Sequence, residues 1–210
     1  MAYLIGFQPF FGLNLKVNPD VLVPRPETEL MVEKALALPL PNCPMILDLC
    51  TGSGCIALAL AKNLPKAKVL AVDISLKALK IAKDNARLNK IKNIHFKQSN
   101  LFSKVQGKFD LIISNPPYVS EKDMKKLPKA VKFEPKKALQ AGKEGLDYIV
   151  QILTLAPARL RSPQACYMHH NSFLIFEFSY DQAKKIRALA PQAKLEKDQN
   201  GIFRYAIIKE

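Results

Sequence analysis

Six short apolar runs alternate along this chain with segments of helical periodicity, and three of the runs finish on a polar side chain. Met45–Leu49 closes around Asp48, Lys68–Asp73 ends in Asp73, and Phe109–Ser114 is followed by Asn115. The other three runs are 93–97, 173–178 and 202–209. Between them, 54–63, the stretch after Ser75 with Leu79, Ile81, Ala82 and Leu88, 144–160 and 181–190 read as helices, with Ser75 placed to cap its helix. Continuous apolar strands separated by helices predict an α/β fold, a mostly parallel sheet covered by helices on both faces. Ligands of such sheets bind beyond the carboxyl ends of the strands. The convergence of Asp48, Asp73 and Asn115 at those ends therefore marks one predicted site.

Residues 1–40 follow a different pattern. Phe7 to Val23 is aromatic and turn-rich and predicts a small hairpin, and the segment from Pro24 to Glu29 leads into a helix reaching about Leu38. Pro39-Leu40-Pro41 stops that helix, so a hairpin-and-helix segment over 1–40 is expected to precede a main domain over 41–210. A chain of 210 residues is long enough for one full core. Its longest apolar runs are too short to span a bilayer, and the N-terminus has neither a basic leader nor a small-residue cleavage site, which points to the cytoplasm. Cys43, Cys50, Cys55 and Cys166 form no Cys-x-x-Cys pair and are expected as reduced, buried thiols. His169-His170 has no carboxylate or cysteine nearby in sequence, so no metal site is expected. The net charge of +14 comes from lysines spread along the chain. It is read equally as a solvated surface or as a field for nucleic acid or a ribonucleoprotein. No interleaved aromatic residues mark a base-stacking groove.

The motifs sharpen the chemistry. Cys50-Thr51-Gly52-Ser53-Gly54 follows the first strand and opens a helix, so the backbone can approach a ligand and free N–H groups face it. Alone this is equally a tight turn without a ligand. Asp73 tips the balance, because one carboxylate accepts from both hydroxyls of a ribose. A dinucleotide site would prefer a third glycine, so S-adenosylmethionine fits better than NAD. After the third strand Asn100 is placed to bond an adenine edge, with Leu101 and Phe102 packing the ring; by itself that segment is also an ordinary polar turn. Asn115-Pro116-Pro117-Tyr118 puts an amide and an aromatic ring on a stiff turn. There, free acceptors can meet a planar nitrogen that is to be methylated.

From Asp48 through Tyr118 the chain resembles class I S-adenosylmethionine-dependent methyltransferases that act on planar nitrogens. The flanks narrow the resemblance. They comprise Phe11-Gly12-Leu13, Asn18-Pro19-Asp20, Val23 through Glu29, Phe133-Glu134-Pro135, Ala138-Leu139, Gly142, Glu144-Gly145, Phe176-Glu177, Asp181-Gln182, Asn200-Gly201 and Arg204. Together they look like HemK/PrmC-type protein-glutamine methyltransferases. That resemblance implies a Rossmann-like, seven-stranded, mostly parallel sheet behind the hairpin. It also implies methyl transfer to the glutamine of the Gly-Gly-Gln motif in peptide chain release factors. Cys50 to Gly54 would line the methionine part of the cofactor, Asp73 its ribose, and Asn100 and Leu101 its adenine. Asn115, Pro116, Pro117 and Tyr118 would be catalytic and hold the substrate amide, with Asn115 also facing the cofactor. Arg25, Glu27 and Glu29 read as substrate contacts or support, or else as a surface ion-pair set at a helix start. Members of that family usually carry a helical domain ahead of the position where this sequence starts. Asn100 stands where Asp is usual, Ser179 where Gly is common, and 162–172 replaces a Pro-Gly-Gly turn. Exocyclic-amine methylation of a nucleic acid, and a non-catalytic binding module, are the competing expectations.

Overall fold

The computed structural model describes residues 2–160 and 171–210. Cys166, His169-His170 and most of the 162–172 connection lie outside the described residues. A one-turn helix α1 (Ala2–Ile5) precedes a hairpin of β1 (Phe7–Phe10) and β2 (Leu13–Lys16), paired antiparallel from Phe7↔Lys16 to Phe10↔Leu13. Its two-residue turn, Phe11-Gly12, has both φ values positive (47° and 71°), the twist that suits a tight hairpin. Phe11 N–H, freed at this turn, donates to Glu29 Oε1 at 2.9 Å. Glu29 belongs to α2 (Pro26–Leu36), which starts on a proline whose missing N–H costs nothing there and carries two acids in its first turn.

The main sheet contains β3 (Met45–Leu49), β4 (Lys68–Asp73), β5 (Ile94–Gln98), β6 (Leu111–Ser114), β7 (Phe173–Glu177), β8 (Lys194–Lys197) and β9 (Phe203–Lys209). Their spatial order is β5-β4-β3-β6-β7-β9-β8, parallel except for β9, which runs antiparallel to both neighbours. Both faces are covered, as the apolar runs require. Ile46, Ala71, Ile113 and Ile175 pack with residues of α2 and of α3 (Cys55–Asn63) on one side. Their strand neighbours Leu47, Val72, Ile112 and Leu174 pack on the other with α7 (Asp147–Leu155) and α8 (Ala183–Leu189). Helix α4 (Leu76–Leu88) links β4 to β5, and Ser75 caps it through an Oγ acceptor 3.2 Å from Ala78 N. Buried Asn85 on α4 joins three segments: its Oδ1 accepts from Lys16 N at 2.7 Å, and its Nδ2 donates to Lys16 O and Ser53 O. Phe10, Leu13, Leu15, Met31 and Val32 share the core with β3 and α3.

Several boundaries differ from the sequence reading. The helix expected over 144–160 is confined to α7, because Gly145 is left-handed (φ 74°) and Pro157 lies just past its end. The terminal helix begins as a 3₁₀ turn over Tyr180–Gln182 before α8. Strand β8 went unread because Lys-Leu-Glu-Lys shows no apolar run; it is an edge strand with charged, exposed ends. Between β6 and α7 lie two single-turn helices, α5 (Glu121–Met124) and α6 (Lys129–Lys132). Of the cysteines, Cys43 is exposed in the loop before β3, and Cys50 and Cys55 are half-buried. The expectation of uniformly buried thiols is therefore corrected. Among the described residues no helix is long and apolar enough to cross a membrane.

Candidate methyl-transfer site

Thr51 N–H donates to Val72 O at 3.0 Å, which pins the turn after β3 to the end of β4. Gly54 then starts α3 in left-handed backbone (φ 84°) that favours glycine, and a Cβ there would crowd Ala82 Cβ at 3.1 Å and Leu58 Cδ1 at 3.2 Å. Beneath the turn, fully buried Asp48 accepts from Thr51 Oγ1 at 2.5 Å. Burial raises its carboxyl to about 7, against the opposing Thr51 hydrogen bond. Asp73 receives Gly52 N–H on Oδ2 and Ser75 N–H on Oδ1, both at 2.9 Å. Each oxygen keeps a lone pair for a further donor. Burial raises the Asp73 pKa and those backbone donors oppose it. Burial likewise pushes the Cys55 thiol up to about 12 and that of Cys50 higher still, which leaves neither as a thiolate nucleophile at neutral pH.

Cys50 to Ser53, Cys55 and Asp73 border a cavity of about 410 Å³ at the carboxyl ends of β3, β4, β5 and β6; Asp48, expected at the same site, is buried beneath the turn and is not on its wall. Of the residues expected from sequence, Cys50, Thr51, Gly52, Ser53 and Asp73 line one side, and Asn100 and Leu101 continue it. Asn115 and Pro117 line it as well, and Arg25 lies on its rim. Gly54, Pro116, Tyr118 and Glu27 are not on the wall. Gly54 supports the turn. Pro116 is buried, and Tyr118 points its hydroxyl at Glu177. Glu27 offers its carbonyl to Tyr205 OH at 2.5 Å. Two wall residues, Cys50 (φ 59°) and Leu101 (φ 44°), hold left-handed backbone without being glycine, a strain that clusters at ligand sites. Ser53 Oγ, buried on the wall, has no hydrogen-bond partner among the described residues. An orphaned hydroxyl, free Asp73 lone pairs and an apolar Leu101 fit a zwitterionic nucleoside such as S-adenosylmethionine.

The acceptor side is built from distant segments. Asn115 Nδ2 donates to Thr28 Oγ1 at 3.2 Å, Thr28 donates to Glu177 Oε2 at 2.9 Å, and Tyr118 OH donates to Glu177 Oε1 at 3.0 Å. Thr28 and Glu177 are both buried. Burial raises the Glu177 pKa, while the Thr28 and Tyr118 hydrogen bonds and the Arg204 charge oppose the rise. Gly145 holds the loop below. A Cβ there would lie 2.3 Å from Tyr118 O, and Gln182 Nε2 donates to Tyr118 O and Gly145 O at 3.0 Å. Above the rim, Arg25 pairs with Glu134 at 2.5 Å.

Sequence reasoning quoted Thr28, Glu177, Pro19 and Asp20 as parts of motifs but gave them no role, and it missed Ile74, Lys136 and Tyr148 on the wall. A conspicuous signal existed only for Glu177, an acid ending the apolar run Phe173–Phe176 as Asp73 ends its own.

The family model described as methyltransferase small domain matches residues 28–152. A protein of Aliivibrio fischeri named release factor glutamine methyltransferase is 38% identical over 189 residues, covering 89% of this chain and 64% of its own length. One of the same name from Thermodesulfovibrio yellowstonii is 37% identical over 220 residues, covering all of this chain and 76% of its own length. The chain thus spans under two thirds of the Aliivibrio protein and about three quarters of the second. Among solved structures, a methyltransferase from Pyrococcus furiosus superposes with a TM-score of 0.67 at 21% identity, covering 95% of this chain and 89% of that one. That likeness carries the fold alone. With 37% identity sustained along its whole length, this chain belongs to the release factor glutamine methyltransferase family, within the methyltransferase small domain group.

Proposed function

We propose that this protein transfers a methyl group from S-adenosylmethionine to the side-chain amide nitrogen, N5, of a protein glutamine. The acceptor is the glutamine of the Gly-Gly-Gln motif in peptide chain release factors. One observation carries the reading: the neutral acceptor Asn115 stands on the wall of the same cavity as Asp73, Ser53 and Leu101. A substrate amide that reaches Asn115 therefore meets the nucleoside side of the cavity directly.

An amide nitrogen is a poor nucleophile because its lone pair is shared with the carbonyl. S-adenosylmethionine, when bound, supplies a methyl on a positively charged sulfur. Asn115 Oδ1 on the wall, with the backbone carbonyl of Pro116 next to it in the chain, would accept from the two substrate N–H groups and orient the nitrogen for transfer. The same two oxygens would stabilise positive charge on a substrate nitrogen that takes up the methyl group. The methylated nitrogen is acidic enough to lose its proton to solvent, so no strong base is needed. Tyr118 stiffens the turn through Glu177. Gly52 and Ser53 meet the methionine end of the cofactor, Asp73 its ribose, and Asn100 with Leu101 its adenine. Arg25 and Glu27 support the substrate entrance, and the hairpin segment over 1–40 forms one wall of the site beside the domain over 41–210. The chain works in the cytoplasm, where release factors act.

The test is transfer of labelled methyl from S-adenosylmethionine to release factor, tRNA and DNA in parallel. Label on the Gly-Gly-Gln glutamine alone is expected. Label confined to nucleic acid would replace the assignment with an exocyclic-amine methyltransferase, the alternative that the +14 charge favours.

A further inference from the structure

We infer that Thr28 and Glu177 are positioning residues that set which end of the Asn115 amide faces the cavity. This rests on the reading above, in which Asn115 Oδ1 receives a substrate N–H. Both Glu177 carboxylate oxygens receive hydroxyl donors, Oε2 from Thr28 and Oε1 from Tyr118. In its ionised form, which the two hydroxyl donors and the Arg204 charge favour against burial, Glu177 only accepts, and a threonine hydroxyl has one proton. With that proton directed to Glu177, Thr28 Oγ1 shows Asn115 lone pairs only.

Asn115 must therefore turn its NH2 toward Thr28, and the 3.2 Å contact is that donation. Rotating the amide by half a turn would set Oδ1 against Oγ1, acceptor against acceptor, inside a buried pocket. Oδ1 is thus presented outward, the polarity that a substrate NH2 requires. Without the relay the amide is free to offer its own NH2 to the substrate NH2, a donor–donor clash. The two helpers lie on α2 and at the end of β7, and Glu177 sits in register with Tyr205 of β9. The amide is locked from rigid elements on both sides.

The experiment compares wild type, Thr28→Val and Thr28→Ser in the labelled-methyl assay on full-length release factor, with cofactor titration and thermal midpoints alongside. Thr28→Val keeps the shape and removes the hydroxyl. It is expected to lower kcat by roughly 10- to 100-fold through loss of orientation, with KM and cofactor affinity each within about threefold. Thr28→Ser keeps the relay and is expected within about threefold of wild type in kcat. If Thr28→Val does not fold, Thr28→Ala carries the same expectation. Wild-type kcat in a folded hydroxyl-free variant would overturn the inference alone. So would a Thr28→Ser enzyme as slow as Thr28→Val, which would make the role one of packing. If nucleic acid proves to be the acceptor, the same variants are compared on it, since an exocyclic amine needs the same Oδ1. A wild type that labels none of the three acceptors overturns both statements.

Discussion

The two sides of the cavity are built in opposite ways. On the cofactor side the partners are near in sequence: Thr51 with Asp48 three residues apart, Ser75 with Asp73 two apart, Gly52 with Asp73 twenty-one apart. Most donors there are backbone N–H groups offered by a turn. On the acceptor side the contacts are between side chains and span 87, 149 and 59 residues. A turn makes the first kind of site wherever a strand feeds a helix. The second kind exists only once α2, β6 and β7 are packed in register, Ser114 beside Phe176. On the proposed function, recognition of the methyl donor is thus local, and recognition of the methyl acceptor is a property of the whole fold.

The strongest way to break this division is Asn115→Ala. Turnover on release factor is expected to fall by roughly 100- to 1000-fold, because a charge-stabilising acceptor is removed from the reacting nitrogen. Calorimetric affinity for S-adenosylmethionine should stay within about threefold. Near-normal turnover would remove Asn115 from the chemistry. Asp73→Ala tests the other side. Loss of two hydrogen bonds to a carboxylate should weaken cofactor binding by roughly 10- to 100-fold, while kcat at saturating cofactor changes far less. A loss that fell on kcat alone would erase the distinction between the two sides.

The smallest effect is a pH signature of Asp48. Its carboxyl is raised to about 7 in the folded protein from 3.8. The proton is therefore held more tightly in the folded state. Its contribution to stability is full below about pH 4 and is lost as pH rises through 7. Asp48→Asn does not titrate, so its thermal midpoint should gain on wild type by several degrees or more between pH 4 and pH 8. A gap that stayed constant across that range would show that the turn tolerates a charged Asp48.

The same contrast explains what was legible in the sequence. Asp48, Asp73 and Asn115 could be read because each closes an apolar run, and a parallel sheet gathers the ends of such runs at one edge. Leu101 was legible from its place after the third strand, though its left-handed backbone was not. Thr28 was invisible because it sits among helix-start residues with a surface explanation of their own. Only packing shows that it faces Glu177. Strand β8 had no pattern to read, since its pairing with β9 is set by backbone hydrogen bonds and a bulge at Glu196/Lys197. The helix limits near Gly145 were lost because the need for glycine there comes from Tyr118 O, a neighbour 27 residues upstream in sequence.

The strand order also has a consequence in time. A chain made from its N-terminus exposes β3 with one edge unpaired until residues 111–114 emerge, and β6 then waits for β7 at 173–177. Once the first 101 residues are out, the turn over residues 50–54, Asp73 and Leu101 all exist. Glu177 is made 62 residues after Asn115, and β9, which covers the far edge of β7, is made later still. A nascent chain therefore acquires the donor-side turn before the acceptor-side relay, and the site proposed above is whole only after β7 has emerged and packed.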